Sequence, residues 1–275
     1  MYRILILTLA MGVLMQTAHA APTLPDFGAA TFDATSATIN NPYLPWTPGC
    51  LWIYEGEIDG EVERIEVLAK HETVNIGGVD SRVVVDTAYV DGVLEEIAED
   101  WYAQDTGGNV WYMGEFVVNF EYDDEGNLID TNNDGSWTAF ELSGDSGEIA
   151  LPGIIMPASP MVGDSLFQEF APDVAFDFFE TMSTTATVTT DFDTFMDAIV
   201  NGEGNLIDGP EIVENKIYAQ GIGVVLIQEF DDNGDPEFEV PLIEKRVVPE
   251  PGTAVLCLGA LALLAGRRRR QKVAQ

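Results

Sequence analysis

Short runs of alternating apolar and polar residues, each ended by turn-forming residues, repeat along most of this 275-residue chain. One run from Val83 to Val90 ends at Asp91-Gly92, a dipeptide favoured in two-residue hairpin turns. The next run, Val93 to Gln104, has two distinct faces. One face carries Val93, Ile97 and Trp101, and the other carries Glu96, Asp100 and Tyr102. Because strands joined by such short turns pair antiparallel, the pattern predicts a meander.

The same alternation continues along the chain. A third strand from Val110 to Tyr122 would place Tyr112, Phe116, Val118 and Phe120 on one face. Further strands are predicted at Ser165–Phe170, Thr184–Thr190, Phe195–Val200, Ile212–Ala219, Val224–Phe230 and Phe238–Val247. A short helix is predicted from Asp173 to Met182, with Phe176, Phe178 and Phe179 as its apolar stripe. The pattern therefore predicts a mostly β fold, a single antiparallel sheet domain shaped as a curved meander, half-barrel or sandwich.

Both ends of the chain differ from this body. Arg3, the apolar run Ile4–Met15 and Ala18-His19-Ala20 form the pattern of a signal peptide over residues 1–20, which signal peptidase would remove. Residues 21–42, rich in Pro, Ala, Thr and Gly, are predicted to form a flexible leader. The β domain would then span residues 43–247, and a separate C-terminal segment residues 248–275.

The C-terminal segment combines three features. It contains Val248, Pro249, Glu250 and Pro251, then an apolar run from Ala254 to Ala265, then Arg267, Arg268, Arg269 and Arg270. The apolar run is shorter than the ~20 residues that span a bilayer, and the arginines match a cytoplasmic stop. This arrangement resembles the PEP-CTERM sorting signal. The resemblance implies export, transient anchoring by a short apolar helix, and processing by an exosortase-type protease before release to the cell surface or beyond.

The body also carries motifs that resemble a group of uncharacterised secreted bacterial β proteins. They lie at residues 100–105, 108–115, 152–158, 162–164, 168–169 and 218–223. The resemblance implies a secreted β fold and no particular activity.

Composition narrows the chemistry. Between the two end signals the body carries 46 acidic and 6 basic residues, so it would repel nucleic acid and attract cations. His71 and Cys50 are the body's one histidine and one cysteine. This scarcity excludes an intramolecular disulfide, a structural zinc site of four N or S ligands, and a well-supported nucleophile triad. We expect a protein that is not an enzyme.

One loop has the spacing of a calcium site. Asp130, Asn132, Asp134 and Glu141 occupy positions 1, 3, 5 and 12 of an EF-hand-like loop. The flanking segments lack helical periodicity, so two interpretations remain open. The loop is either a calcium site in a β context or a hairpin turn built from Asp, Asn and Gly.

Two glutamates and a group of aromatic residues are further candidates. Glu115 and Glu169 lie among bulky apolar residues, where desolvation would raise a carboxyl pKa. Trp101, Tyr102, Trp111 and Tyr112 would form either core or a sugar-stacking platform.

Three functions remain open. The first is an exported interaction or structural module at the cell surface or in the matrix, with polysaccharide, envelope proteins or calcium as partners. The second is a carrier of a hydrophobic ligand held under the predicted helix. The third is a glycan hydrolase that uses two carboxylates.

Overall fold

The computed structural model describes residues 21–58, 60–123, 125–207, 209–231 and 236–248. These residues form 17 strands and one short 3-10 helix, Phe27–Ala29. The strands are β1 Cys50–Ile58, β2 Glu61–Ile76, β3 Val79–Val90, β4 Val93–Gln104, β5 Val110–Tyr122, β6 Leu128–Asn132, β7 Trp137–Thr138, β8 Leu142–Ser143, β9 Glu148–Ile149, β10 Leu151–Met156, β11 Ser165–Phe167, β12 Glu169–Phe170, β13 Asp177–Thr189, β14 Thr194–Asn205, β15 Glu214–Ala219, β16 Gly223–Phe230 and β17 Pro236–Val247. The described part of the chain contains no helix long and apolar enough to cross a membrane.

One antiparallel sheet contains 15 of the described strands. Its order is β11-β13-β14-β15-β16-β17-β1-β2-β3-β4-β5-β10-β12, with β6 and β7 also paired to β5. The first and last strands of this order, β11 and β12, are separated only by Gln168. The Gln168 backbone N–H donates to the Asp177 carbonyl of β13 at 2.8 Å. The sheet therefore curves until its two ends nearly meet, and the predicted single antiparallel sheet domain is confirmed.

The predicted meander is confirmed as β3, β4 and β5. Val90 pairs with Val93 across the Asp91-Gly92 turn, and both turn residues have positive φ, 50° and 78°. This is the two-residue hairpin turn whose twist matches the strands it joins. Strands also form at all six later positions that the alternation predicted.

The predicted helix from Asp173 to Met182 is wrong. Asp173 lies in a turn with φ +64°, and β13 begins at Asp177. Phe178 and Phe179 are both almost fully buried. Because neighbouring residues of a strand point to opposite faces, two consecutive buried aromatics mean that β13 is covered on both sides. The run of phenylalanines that suggested a helix therefore reflects a strand that is buried on both faces.

The prediction that Tyr112 shares a face with Phe116 is also wrong. Asp100 pairs with Glu115 and Trp101 with Gly114, but Tyr102 pairs with Tyr112, so β5 has one extra residue there. This β-bulge reverses the alternation, because residues before and after it change faces. As a result, Tyr112 and Glu115 face the inside of the sheet, while Phe116 is 48% exposed.

Residues 21–42, assigned above to a flexible leader, pack against the sheet. The Phe27 ring lies edge-on to Trp111, with 5.1 Å between ring centroids. Asn41 is buried, and its Nδ2 donates to the carbonyls of Gly108 and Pro157 at 3.0 and 3.1 Å. This segment thus contributes side chains to the folded unit.

A row of aromatic rings lines one end of the sheet's interior. Consecutive ring centroids are 4.8 to 5.8 Å apart in the order Trp52, Trp46, Tyr102, Tyr112, Trp137. Edge-to-face and offset contacts of this kind stabilise a core beyond simple area burial. The aromatic residues Tyr102, Trp111 and Tyr112 are buried in this structure, as the core interpretation expects.

Candidate functional site: an acidic cavity inside the curved sheet

The concave side of the sheet encloses a cavity of about 280 Å³. Eight strands contribute to its walls: β3, β4, β5, β10, β12, β13, β14 and β15. Its lining carries eight carboxyl groups: Asp86, Glu96, Asp100, Glu115, Glu169, Asp177, Glu203 and Glu214. Lys216 is the single basic residue in that lining. We refer to this space as the acidic cavity.

Strand alternation explains why so many acids meet here. On β4, every second residue from Glu96 through Asp100 to Tyr102 faces the cavity. Glu214, Lys216 and Tyr218 alternate in the same way on β15, and Tyr218 lines an adjoining space. Both strands therefore present charged groups at one end and a tyrosine at the other. The interior has an acidic end and an aromatic end as a consequence.

Lys216 is held by carboxylates. Its Nζ lies 2.9 Å from Glu203 Oε2 and 3.1 Å from Glu214 Oε1, and Glu203 also accepts a bond from the Tyr218 hydroxyl at 3.2 Å. Burial lowers the pKa of Lys216, but Glu203 and Glu214 more than offset this, and the pKa is raised well above its usual value. The ammonium group therefore stays charged.

Asp100 has a neutral partner instead of a cation. The Tyr112 hydroxyl donates to Asp100 Oδ1 at 2.5 Å. Burial raises the pKa of Asp100 to about 7, although the bond from Tyr112 acts in the opposite direction. Because desolvation disfavours the charged form, this carboxyl changes protonation near neutral pH.

Glu115 and Glu169 form a carboxyl pair. The charge of Glu115 acts on Glu169, and Glu169 Oε2 accepts a 2.7 Å bond from the Trp137 indole. Burial, followed by the charge of Asp100, raises the pKa of Glu115 to about 8. Burial and then Glu115 raise the pKa of Glu169 well above its usual value. The pKa increase expected for these two residues is therefore present, and the pair retains a proton at neutral pH.

Four more carboxyls of the cavity have raised pKa values, and burial is the cause for the first of them, Glu96. Burial, with Asp100 and Glu96 nearby, raises the pKa of Asp86 to about 8. Burial raises the pKa of Asp177 to about 6 and that of Glu203 in the same direction, and Lys216 lowers both. Asp86 has no salt bridge among the described residues, so its shift reflects desolvation and like charge together.

A smaller space of about 120 Å³ adjoins the acidic cavity. Asp86, Asp100, Tyr102, Ile155 and Lys216 line both spaces. The rest of the smaller lining is aliphatic and aromatic: Leu44, Trp46, Tyr54, Ile65, Val67, Tyr218, Val224 and Ile227. We refer to it as the apolar compartment.

Each space has a residue with a buried hydrogen-bond donor in its lining. Gln168 is 3% exposed and lines the acidic cavity. Its amide lies close enough to Glu203 to lower the pKa of that carboxyl, although Nε2 makes no well-formed hydrogen bond to the described residues. Trp46 is 6% exposed, lines the apolar compartment, and its Nε1 likewise lacks a partner within the described chain. Buried donors of native proteins are normally satisfied, so the Trp46 indole N–H is the stronger candidate for a bond to an acceptor from outside the chain.

Of the cavity's carboxyls, only Glu115 and Glu169 were predicted site candidates from the sequence. Asp86, Asp100, Glu203 and Lys216 were not recognised as a site. The available signal was the acidic face of β4 opposite an apolar face, together with Lys216 two residues after Glu214 on β15. Neither pattern indicates which face lies inside the sheet.

The candidate calcium residues lie elsewhere, between β6 and the segment after β7. Asn132 Oδ1 accepts bonds from Asn119 Nδ2 and from the Asp134 N–H, both at 3.0 Å. Asp130 Oδ1 accepts from the Thr131 N–H at 2.8 Å. No three His, Cys, Asp or Glu side chains of the described residues lie close enough to hold a metal ion. The calcium site at Asp130, Asn132, Asp134 and Glu141 stays a prediction.

The signal peptide and nearly all of the sorting segment lie outside the described residues. Val248 is described, and its N–H donates to the Gly49 carbonyl at 2.7 Å. Residues 247–270 match the family described as the PEP-CTERM protein-sorting motif. The chain therefore carries this sorting motif, and the recognition made from its residues is confirmed.

Two solved structures match the body. One is a protein described as exported and as having a YmcC-like fold, from Bacteroides fragilis, at 14% identity and a TM-score of 0.41. The other is described as a lipoprotein, from Parabacteroides distasonis, at 11% identity and a TM-score of 0.38. Each match covers 75% of this chain and 100% of the other. No curated protein matches the chain.

Proposed function

We propose that this protein is an exported binding module, sorted through its PEP-CTERM motif to the cell surface or extracellular matrix, that holds a small ligand in the acidic cavity. The motif over residues 247–270 implies an exosortase-sorted, exported protein. Signal peptidase and an exosortase-type protease would process the two ends. The binding role goes further and depends on the cavity.

One observation carries the binding role, namely a cavity of about 280 Å³ with eight carboxyls in its lining and, in the space that adjoins it, the buried Trp46 Nε1 donor without a partner among the described residues. Ligand sites are typically concave, pre-formed and supplied with a few convergent polar groups. Burying an unpaired donor is costly, because the group loses its bonds to water without replacement. A ligand with an acceptor group would remove that cost.

The two alternatives have less support. A carrier of a purely hydrophobic ligand was expected to hold it under a helix at residues 173–182. That helix is absent, and the larger cavity is lined by eight carboxyls. A two-carboxylate hydrolase places its carboxyls about 5 to 9.5 Å apart to admit a sugar or a water. Such a hydrolase also needs one ionised carboxylate, whereas burial raises the pKa of Glu115 to about 8 and that of Glu169 well above its usual value.

The sorting part can be tested by intact-mass measurement of protein extracted from the envelope of cells with an active sorting protease. We expect a mass that ends near Pro251 and lacks Arg267–Arg270. The same measurement in cells without that protease is the control and should include the arginines. A mass that includes them in both strains would contradict the proposal.

The binding part can be tested by NMR titration of the purified protein with four probes of different chemistry. These are tyramine for organic cations, cellotetraose for polysaccharide, decanoate for lipid and calcium chloride for metal. Saturable shifts of the Trp46 and Gln168 side-chain N–H signals with any probe would support a ligand cavity. Their absence with all four would overturn it.

A further inference from the structure

We infer that the ligand of the acidic cavity is an organic ammonium compound with an apolar body and a hydrogen-bond acceptor at its far end. The ammonium group would lie among the carboxyls, and the body would extend into the apolar compartment. This inference rests on the proposed binding role and names its ligand class.

The cavity already shows how it binds an ammonium group. Lys216 Nζ lies within 3.1 Å of two carboxylates, Glu203 and Glu214, on neighbouring strands. Six further carboxyls line the same space: Asp86, Glu96, Asp100, Glu115, Glu169 and Asp177. None of them has a salt bridge among the described residues. Burial raises the pKa values of Asp86, Asp100 and Asp177 and the charge of Lys216 lowers them, but Lys216 is the single cation among the eight carboxyls of the lining. A second ammonium group would therefore meet an excess of acids.

The arrangement of the acids favours an organic cation over a metal ion. No three acidic side chains of the described residues lie close enough to form a metal site. Asp86, Asp100 and Glu115 instead lie on three successive strands of the wall, β3, β4 and β5. Calcium requires six to eight converging oxygens. An ammonium group requires only a few, because it donates at most three hydrogen bonds.

The apolar compartment would hold the apolar body of the ligand. It shares Asp86 and Asp100 with the acidic cavity and is otherwise mainly aliphatic and aromatic. Cations are attracted to aromatic faces, and an apolar body gains from burial there. The orphaned Trp46 Nε1 in this compartment would donate to an acceptor at the ligand's far end.

Three probes of one shape test these features. Tyramine carries both ammonium and hydroxyl, phenethylamine lacks the hydroxyl, and 4-ethylphenol lacks the ammonium. We expect tyramine to bind the purified protein at least tenfold more tightly than 4-ethylphenol, and several-fold more tightly than phenethylamine, by calorimetry at pH 8. Equal binding of tyramine and 4-ethylphenol would overturn the inference and leave the binding role intact.

A matched pair of variants locates the ammonium subsite. Asp86→Asn removes a cavity charge at nearly constant shape, and Asp80→Asn removes the same charge from an exposed position on the same strand. We expect at least a tenfold loss of tyramine affinity for Asp86→Asn and less than a twofold loss for Asp80→Asn. Equal losses would contradict the assigned site. If Asp86→Asn does not fold, the comparison of the three probes on the unaltered protein still decides the ligand class.

Discussion

The Tyr112 hydroxyl donates a 2.5 Å hydrogen bond to Oδ1 of the buried Asp100. The ring of Tyr112 also stacks on Tyr102, with 4.8 Å between centroids and 15° between planes. Through this bond, the row of aromatic rings contacts the acidic cavity at Asp100. The stability of the interior therefore depends on the protonation of its carboxyls.

The variant Tyr112→Phe tests this coupling. The bond to an ionised Asp100 should contribute about 1.5–3 kcal/mol, and the bond to a protonated one about 0.5–1.5 kcal/mol. Since the pKa of Asp100 is raised to about 7, the loss of unfolding free energy should be larger at pH 8.5 than at pH 5.5. Urea unfolding at both pH values measures it. Tyr122→Phe is the control, because the Tyr122 hydroxyl donates to a backbone carbonyl, that of Leu94, at 2.7 Å. Equal losses for Tyr112→Phe at the two pH values would refute the coupling.

Thermal stability should fall as the pH rises from 5.5 to 8.5. Burial, first among the causes, raises the pKa of Asp100 to about 7 and those of Asp86 and Glu115 to about 8. A carboxyl with a raised folded pKa stabilises the protein below its unfolded pKa, and that stability is lost as the pH passes the folded pKa. Each unit corresponds to about 1.4 kcal/mol. We expect Tm to drop by at least about 5 °C.

The variant Asp86→Asn provides the control for this pH dependence. It removes one of the carboxyls responsible, so it should raise Tm at pH 8.5 and reduce the slope of Tm against pH. Exposed carboxylates are already ionised throughout this range, so general repulsion should not change with pH. A Tm that is flat or rises between pH 5.5 and 8.5 in the unaltered protein would show that the cavity acids are hydrated and unperturbed.

The bulge on β5 can be tested at Gly114. This residue has φ +130°, and an added Cβ would lie 2.5 Å from the Trp137 carbonyl oxygen, a backbone atom. Gly114→Ala should therefore cost at least about 2 kcal/mol of unfolding free energy, since strain and a backbone clash add. Gly126→Ala is the matched control, because Gly126 also has positive φ but open space around it. It should cost only about 1 kcal/mol. If urea unfolding gives similar losses of unfolding free energy for Gly114→Ala and Gly126→Ala, then β5 tolerates a regular register.

Arg82 connects the N-terminal segment to the sheet. It is buried, and its guanidinium donates to the carbonyls of Ala37, Lys70 and His71 at 2.9 to 3.0 Å. Arg82→Met should cost about 3 kcal/mol, because the buried Ala37 carbonyl and two part-buried carbonyls lose a charged donor. Lys70→Met removes an exposed 3.8 Å ion pair with Glu72 and should change stability by less than about 1 kcal/mol. Chemical unfolding of both variants distinguishes them. A cost for Arg82→Met as small as that for Lys70→Met would show that these bonds contribute little.

The sequence alone determined the strands, the turns and the sorting address. Alternation with period two and turn residues such as Asp91-Gly92 are local signals, so β3, β4 and β5 could be located without knowledge of their neighbours. The sorting motif at residues 247–270 is likewise contiguous in the chain. The excess of acidic residues followed from composition.

Only the tertiary structure decided which face of each strand lies inside. Alternation placed Glu96, Asp100 and Tyr102 together on β4, but a period of two defines two faces without saying which is concave. The bulge that turns Glu115 inward depends on the close approach of Gly114 to Trp137, which is 23 residues further along the chain. The cavity combines acids from seven strands that curvature of the sheet brings together, so no local pattern contained it. The site emerges from sheet closure, because the burial that raises its pKa values exists only after distant strands have paired.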